Sequence, residues 1–424
     1  MSDIGYSGQY LDNKQFRIKV RTGEDIANVT GDAICGEMFL VTGSNPGLYI
    51  ATETSTKDSH SIYIVQSLNS VQSGPYVTSV STPNLVTNIL LHTLAIKSDG
   101  SLWAMGKNNR GQLGDGSDTD SLTFKKIINS GVSQISAGLD HSLFLKNDGT
   151  LWGMGENGRG QLGQGNTTGY NSPVQIASDV SQISAGSASF FVKTDGTLWG
   201  VGYNDEGQLG TGDTQDKLTP IQIDSEVSFV SASAASFVMY RKNDGSIWGI
   251  GSGQYGVFNN GSETAQNTKI QVIASSEGVE KFSVGVNYAI FLKSNGEVWG
   301  TGNDQSKQLN GTTNLYLNNF TKILNINNSN PIQEVFAGGQ CSHLLTSQGL
   351  WAFGTNYYGE LGVGSSDTSV NSTLIPGGVF ACGGSYRSFV IKNDGELYAA
   401  GQNNLGQLGD GTTTDQNTLT LINF

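Results

Sequence analysis

Charge, proline and cysteine are all scarce in this chain of 424 residues, and each scarcity excludes something. Charged residues make up 14%, which is not the composition of a chain kept disordered by its own repulsion. The 23 Lys and Arg are outnumbered by 36 Asp and Glu, giving a net charge of −13. A surface of that sign repels phosphate backbones, which argues against nucleic acid as a partner. No basic tail is hidden in the average, since residues 1–75 hold five basic and eight acidic side chains. The three cysteines, Cys35, Cys341 and Cys382, are odd in number and far apart, without metal or disulfide spacing, and read as small buried thiols. No run of 18 apolar residues exists, so no membrane insertion is expected. The opening MSDIGYSGQYLDNKQF lacks the basic start and apolar core of a signal peptide, so a soluble, cytoplasmically made protein is expected. Against seven prolines stand 58 glycines, a β-rich and loop-rich balance.

Some of those glycines suggest a cofactor. Gly153–Gly158 reads G-M-G-E-N-G, the spacing of a dinucleotide-binding loop. That spacing needs a helix opening at its end to hold the pyrophosphate. Here RGQLGQGNTTG follows, and each glycine inside a helix costs about 1 kcal/mol, so no helix starts and no cofactor is expected.

A repeat accounts for the same residues. Every tryptophan falls in one phrase: SLWAMG at Trp103, TLWGMG at Trp152, TLWGVG at Trp199, SIWGIG at Trp248, EVWGTG at Trp299 and GLWAFG at Trp351, with ELYAAG at Tyr398 as a seventh. Successive intervals are 49, 47, 49, 51, 52 and 47 residues. Each unit has a small-residue segment, an apolar strand, a tight turn such as Asn-Asp-Gly, the Trp strand, a polar loop and a final short strand. Asp-Gly and Asn-Gly between β-prone runs are strong hairpin signals. About four strands per period, with no helical periodicity between, predict an all-β fold: a seven-bladed β-propeller over 76–424, preceded by a small β-rich module over 1–75. Trp103, Trp152, Trp199, Trp248, Trp299, Trp351 and Tyr398 are expected as wedges between neighbouring blades.

The units resemble the repeats of the regulator of chromosome condensation family, a seven-bladed propeller family. NNRGQLG (108–114), NGRGQLG (157–163), NDEGQLG (204–210) and NNLGQLG (403–409) carry the likeness, while GQYGVFN (253–259) and DQSKQLN (304–310) depart from it. The resemblance implies exchange-factor activity toward a small GTPase and docking on chromatin. Neither transfers residue by residue: the family's histidine position reads His92, His141, Ser189, Ser236, Tyr288, Cys341 and Arg387, and the acidic charge argues against chromatin. The C-terminal TLTLINF matches the strand that begins a further unit, so Leu419–Phe424 is expected to return to the blade containing Leu90–Gly106 and lock the ring, with PYVTSV (75–80) competing for that place.

No catalytic set emerges, and a non-enzymatic protein is expected. The four histidines, His60, His92, His141 and His343, offer no metal spacing and no nucleophile partner. Asp115, Asp118 and Asp120, with Asp410 and Asp415 in a similar loop, are either calcium ligands or turn carboxylates holding nearby amides. Tyr203, Tyr255, Tyr357 and Tyr358, on the loops after the Trp strands, suit a sugar or protein epitope, or packing between blades.

Residues 1–75 lack the repeat. Gly36 to Thr52, GEMFLVTGSNPGLYIAT, resembles short modules near the N-termini of bacteriophage tail-fibre, receptor-binding and other virion proteins, and reads either as such an attachment module or as a β-hairpin cap. The leading expectation is a virion structural or host-recognition protein, a tail-fibre, tail or capsid-associated chain. It would join other virion proteins through 1–75, with a homotrimer as the expected assembly, and present the propeller to a host protein or glycan. The alternatives are a cytoplasmic exchange-factor-like adaptor binding a small GTPase, and a sugar-active or calcium-binding propeller enzyme.

Overall fold

In the computed structural model the described residues are 75–83, 92–309, 315–324, 331–366, 369–384 and 386–424, with four strands before them. Two compact units divide the chain, Met1–Pro75 and Tyr76–Phe424. In the first, Ile18–Thr22 pairs in parallel with Met38–Thr42, which continues antiparallel through Gly47–Glu53 to Tyr63–Leu68. Cys35 and His60 lie outside the described residues.

The second unit is seven four-stranded sheets, each an uninterrupted meander of consecutive strands. Blade 2 shows the plan: Val132–Ala137, His141–Lys146, Leu151–Gly155 and Tyr170–Ala177. The first strands of all seven blades line a central channel of about 410 Å³. Small side chains suit that place. The hydroxyls of Ser81, Ser136, Ser184, Ser231 and Ser283 each accept the N–H of a residue in the next blade's first strand, at 2.8–3.3 Å.

The core is the set of surfaces between blades. Leu94, Leu102 and Leu113 of blade 1 join Val132, Phe144 and Met154 of blade 2 in one buried cluster, with Trp152 at its margin. Trp199, Trp248, Trp299 and Trp351 border the equivalent clusters at the next four junctions, and Trp103 the one between blades 7 and 1. The residues clustered between blades 6 and 7 include Leu350 and Val390 but not Tyr398. The indoles are half-buried, and each surface has a fixed use. Trp152 lies parallel to Phe144 at 6.3 Å, carries the Lys146 ammonium at 4.4 Å, and donates its N–H to Thr150 Oγ1 at 2.8 Å. Tyr398 keeps the plan, with Lys392 at 4.1 Å and its hydroxyl on Glu396. Blade 6 breaks it: Thr346 and Gly349 stand at the lysine and acceptor positions, and the buried Trp351 Nε1 has no partner.

Ring closure differs from the expected strand exchange. Gln416–Leu421 pairs with Leu397–Gly401 as the outer strand of blade 7, and Val77–Ser81, the PYVTSV candidate, is the first strand of blade 1. Every blade is complete from contiguous chain, so the seam closes by side-by-side packing. Val77 N–H donates to Gly395 O at 2.9 Å, Arg387 Nη2 donates to Thr82 Oγ1 at 2.7 Å, and Phe424 crosses to stack on Phe124 at 4.0 Å and edge-on to Trp103 at 5.4 Å.

Candidate functional site

The long loops after the third strands and the short loops after the first strands leave the same end of each blade, because His141 pairs with Gly155. The polar loop is internally stapled. Asn108 Oδ1 accepts Leu113 N–H at 2.9 Å while its Nδ2 donates to the carbonyls of Ser117 and Thr119, and Leu113 is fully buried. Asn157, Asn204, Asn356 and Asn403 repeat the Leu N–H contact. Blade 5, which lost the consensus, keeps the geometry: Asp304 Oδ1 holds Leu309 N–H at 2.8 Å. The G-Q-L-G phrase is thus a folding device, with Gln112, Gln161, Gln208, Gln308 and Gln407 each accepting the N–H of the residue two places before.

The aspartates of these loops are engaged by protein groups. Asp115 accepts from Asn108, Ser117 and Lys125, and Lys125 with Ser117 holds its carboxyl down at about 2 against the opposing effect of burial. Asp410 accepts from Asn403, Thr412 and Gln416, and Asp120 and Asp415 accept the N–H of Asn108 and Asn403. In these loops Asp115, Asp120, Asp410 and Asp415 serve as turn carboxylates holding nearby amides.

The histidine position is a clasp between blades. His141 Nε2 lies 2.9 Å from Ser189 Oγ of blade 3, Tyr288 OH donates to Cys341 O of blade 6 at 2.8 Å, and Arg387 reaches Thr82 of blade 1. Facing the glycine that ends the third strand are Ala188 and Phe237 in blades 3 and 4, in place of the expected Ser189 and Ser236. The loop before the second strand is one residue shorter in blade 3 and one longer in blade 4 than in blade 2, which displaces the alignment by one in opposite directions. Cys341 is buried and Cys382 half-buried, and burial pushes both thiols up to about 12.

Burial also holds the imidazoles of His92, His141 and His343 down, to about 3, 4 and 4. In the unfolded chain they titrate near 6.5. A depressed folded value contributes stability that is full above 6.5 and lost as pH falls towards 4. Burial raises the Glu360 carboxyl, an opposing contribution lost as pH rises. The urea midpoint is therefore expected to fall from pH 7 to 4.5. His343→Leu, at a site with no partner for either ring nitrogen, should flatten that slope. An unchanged slope would show that His343 is not among its causes.

The four loop tyrosines do not converge. The Arg159 guanidinium lies over Tyr203 at 5.1 Å, Tyr255 meets Tyr316 edge-on at 6.3 Å, and Tyr358 meets Tyr386 at 5.2 Å, while Tyr357 is 54% exposed. Two cavities open between blades 1–4. One of about 610 Å³ is lined by Asn109, Arg110, Asp118, Glu156 and the 167–174 stretch. One of about 280 Å³ is lined by Asp140, His141, Glu156, Arg159, Gln161 and Tyr203. Ion pairs rim them: Lys107–Asp140 at 2.8 Å, Arg110–Glu156 at 3.1 Å and Arg159–Asp216 at 2.9 Å. Sequence reasoning missed these cations because their partners lie in neighbouring blades.

Comparison with known proteins places these blades. Models of the regulator of chromosome condensation (RCC1) repeat match residues 99–145, 148–192 and 195–238, and a second such model matches 132–161. The X-linked retinitis pigmentosa GTPase regulator of Canis lupus familiaris is 42% identical over 80 residues, 18% of this chain and 8% of that protein. The probable E3 ubiquitin-protein ligase HERC4 of Rattus norvegicus is 29% identical over 157 residues, 34% of this chain and 15% of that one. The chain thus spans less than a sixth of these relatives' length. Among solved structures, Prp20p of Saccharomyces cerevisiae, described with its binding to Gsp1p and histones, superposes with TM-score 0.66 at 17% identity. That match covers 81% of this chain and 88% of Prp20p. Human WBSCR16 gives 0.55 at 18% identity over 88% and 90%. At such identities the likeness is one of fold.

The virion expectation is overturned by these relatives, which are named as a GTPase regulator and a ubiquitin-protein ligase. With it go tail fibre, bacteriophage, virion partners through 1–75, a host protein or glycan on the propeller, the homotrimer and a virion location. The reading rested on one short phrase, Gly36–Thr52, against repeat matches spanning 99–238. What the chain carries is a set of RCC1 repeats on a seven-bladed propeller.

Proposed function

We propose that the propeller is a non-enzymatic, cytoplasmic binding module for a small GTPase, and that the loop end of blades 1–3 is its contact surface. One observation carries this reading: the matched repeats, 99–238, are the ones whose loops bear the rimming ion pairs Lys107–Asp140, Arg110–Glu156 and Arg159–Asp216 around the two cavities. Support comes from the relative named as a GTPase regulator and from Prp20p, described as binding Gsp1p. Chemically the surface suits a protein epitope. Arg159 is held over Tyr203 and against Asp216, so a partner meets a pre-ordered cation and spends little entropy fixing it.

The test is binding of the full chain to purified small GTPases in GDP-bound, GTP-analogue-bound and nucleotide-free states. At least one state is expected to bind, and Arg159→Glu should weaken it about tenfold, mostly through slower association. Release of a fluorescent GDP, measured alongside, separates an adaptor (release unchanged) from an exchange factor (release accelerated). No binding in any state, or binding indifferent to Arg159→Glu and Arg110→Glu, would sink the assignment.

A further inference from the structure

Blades 6 and 7 build a different surface from the same loop plan. At the loop position filled by glutamine in five other blades stands Glu360. It performs the same backbone task, its Oε2 accepting Tyr358 N–H at 2.9 Å. Glutamine would do this without charge. Glu360 is only 1% exposed, pairs with no lysine or arginine among the described residues, and leaves Oε1 without a partner. A buried carboxylate lacking a counter-charge is costly, so this blade keeps an expense the others avoid.

The surroundings suggest what would offset it. Tyr358 takes the place of Arg159 of blade 2, and Tyr386 that of Ser187 of blade 3. Their rings meet at 5.2 Å and 63°, forming a corner of two half-buried rings, with Tyr357 beside it, 54% exposed. The ionisable groups felt by the Tyr386 phenol are Tyr358, Glu360 and Tyr357, and Glu360 is also felt by the Cys341 thiol. Every one of these neighbours is neutral or acidic. The corner is also stiff: Asn356 holds Leu361 N–H at 3.0 Å and Ser365 O at 2.9 Å, so the tyrosine-bearing loop is fixed before any ligand arrives.

We infer that the Tyr357–Tyr358–Tyr386 corner, with Glu360 beneath it, is a docking point for a lysine or arginine side chain of a partner protein. Ring faces attract a cation within about 6 Å of the centroid, most strongly where water is excluded. The carboxylate below adds a charge that its burial leaves poorly screened. The site goes beyond the GTPase reading and lies on other blades.

Its test uses free cations, so the outcome is independent of any GTPase. The full chain, labelled with 13C in its tyrosine rings, is titrated with N-acetyl-arginine amide and with tetramethylammonium, and with N-acetyl-norleucine amide as the uncharged control. Saturable shifts of the three tyrosines with Kd on the order of 10 mM are expected for both cations and not for the control. Glu360→Gln, the residue of the sister loops, should weaken both about fivefold while leaving the melting temperature equal or higher. Tyr386→Ser, the residue of blade 3, should weaken both without altering the Glu360→Gln stability gain. Absence of saturable shifts, equal shifts from the uncharged control, or undiminished cation affinity in Glu360→Gln would each overturn the inference.

Discussion

Phe424→Ala is expected to lower the stability of the propeller by about 2 kcal/mol, read as a fall in urea midpoint at unchanged slope. Complete removal of a buried phenylalanine costs roughly 3–5 kcal/mol, and Phe424 is half-buried, which sets the smaller figure. Its effect is concentrated because of where it sits. Six blade junctions lie within continuous chain, whereas the junction between blades 7 and 1 joins segments more than 300 residues apart in sequence. There Phe424 stacks on Phe124, meets Trp103 edge-on, and carries the Lys97 ammonium at 4.3 Å. Val77, Val80, Met105, Phe389 and Ile422 complete the seam. Val379→Ala, on a side chain 42% exposed, is the control and should cost no more than about 0.5 kcal/mol. Equal stabilities for the two variants would mean that the seam does not depend on Phe424.

That seam marks where the sequence stopped being legible. The period of the Trp phrase and the tight turns ending in glycine dictate strand number, hairpin order and blade count, because each is a local signal that recurs in all seven units. Closure is a single event between distant segments and has no repeat to average over. TLTLINF looks like the outer strand of any blade because it is the outer strand of blade 7. The discriminating detail was the Val77–Val80–Ser81 spacing, which matches Val132–Ile135–Ser136 of blade 2, a first strand. The clasp column shifted by one in blades 3 and 4 for a comparable reason: the loop between first and second strands is one residue shorter in blade 3 and one longer in blade 4 than in blade 2, and spacing from the turn does not register that.

Site features divide along the same line. That Tyr203, Tyr255, Tyr357 and Tyr358 lie on loops followed from the unit plan. Their ring partners Tyr316 and Tyr386 are in the next blade, 61 and 28 residues along, and no local pattern joins them. The substitution of Glu360 for glutamine was visible in GELG against GQLG, but its meaning depends on burial, which a loop sequence does not express. The virion reading failed differently: a short phrase of common β-strand residues occurs in many unrelated chains, whereas repeats spanning 99–238 constrain each other.

The glycines of GMGENG give the sharpest separation between the cofactor and architectural readings. Gly155 has φ 107°, a conformation that side-chain-bearing residues avoid, and a Cβ there would lie 2.6 Å from Asp140 O and 2.9 Å from His141 Cα. Both obstacles are backbone of the same blade, so neither can swing away. Gly155→Ala is therefore expected to cost at least about 3 kcal/mol, the sum of backbone strain and a forced shift of the second strand, and to disturb the His141–Ser189 clasp. Gly165→Ala separates the two contributions. Its φ is 72°, but the nearest atom to the added Cβ is Thr219 Cγ2 at 3.7 Å, so it should lose only about 1 kcal/mol. A glycine kept for the approach of a pyrophosphate would behave in the opposite way, leaving unliganded stability nearly intact and costing affinity alone. Comparable urea midpoints for Gly155→Ala and the parent chain would thus remove the architectural reading, because the contacts that make it are all present without a ligand.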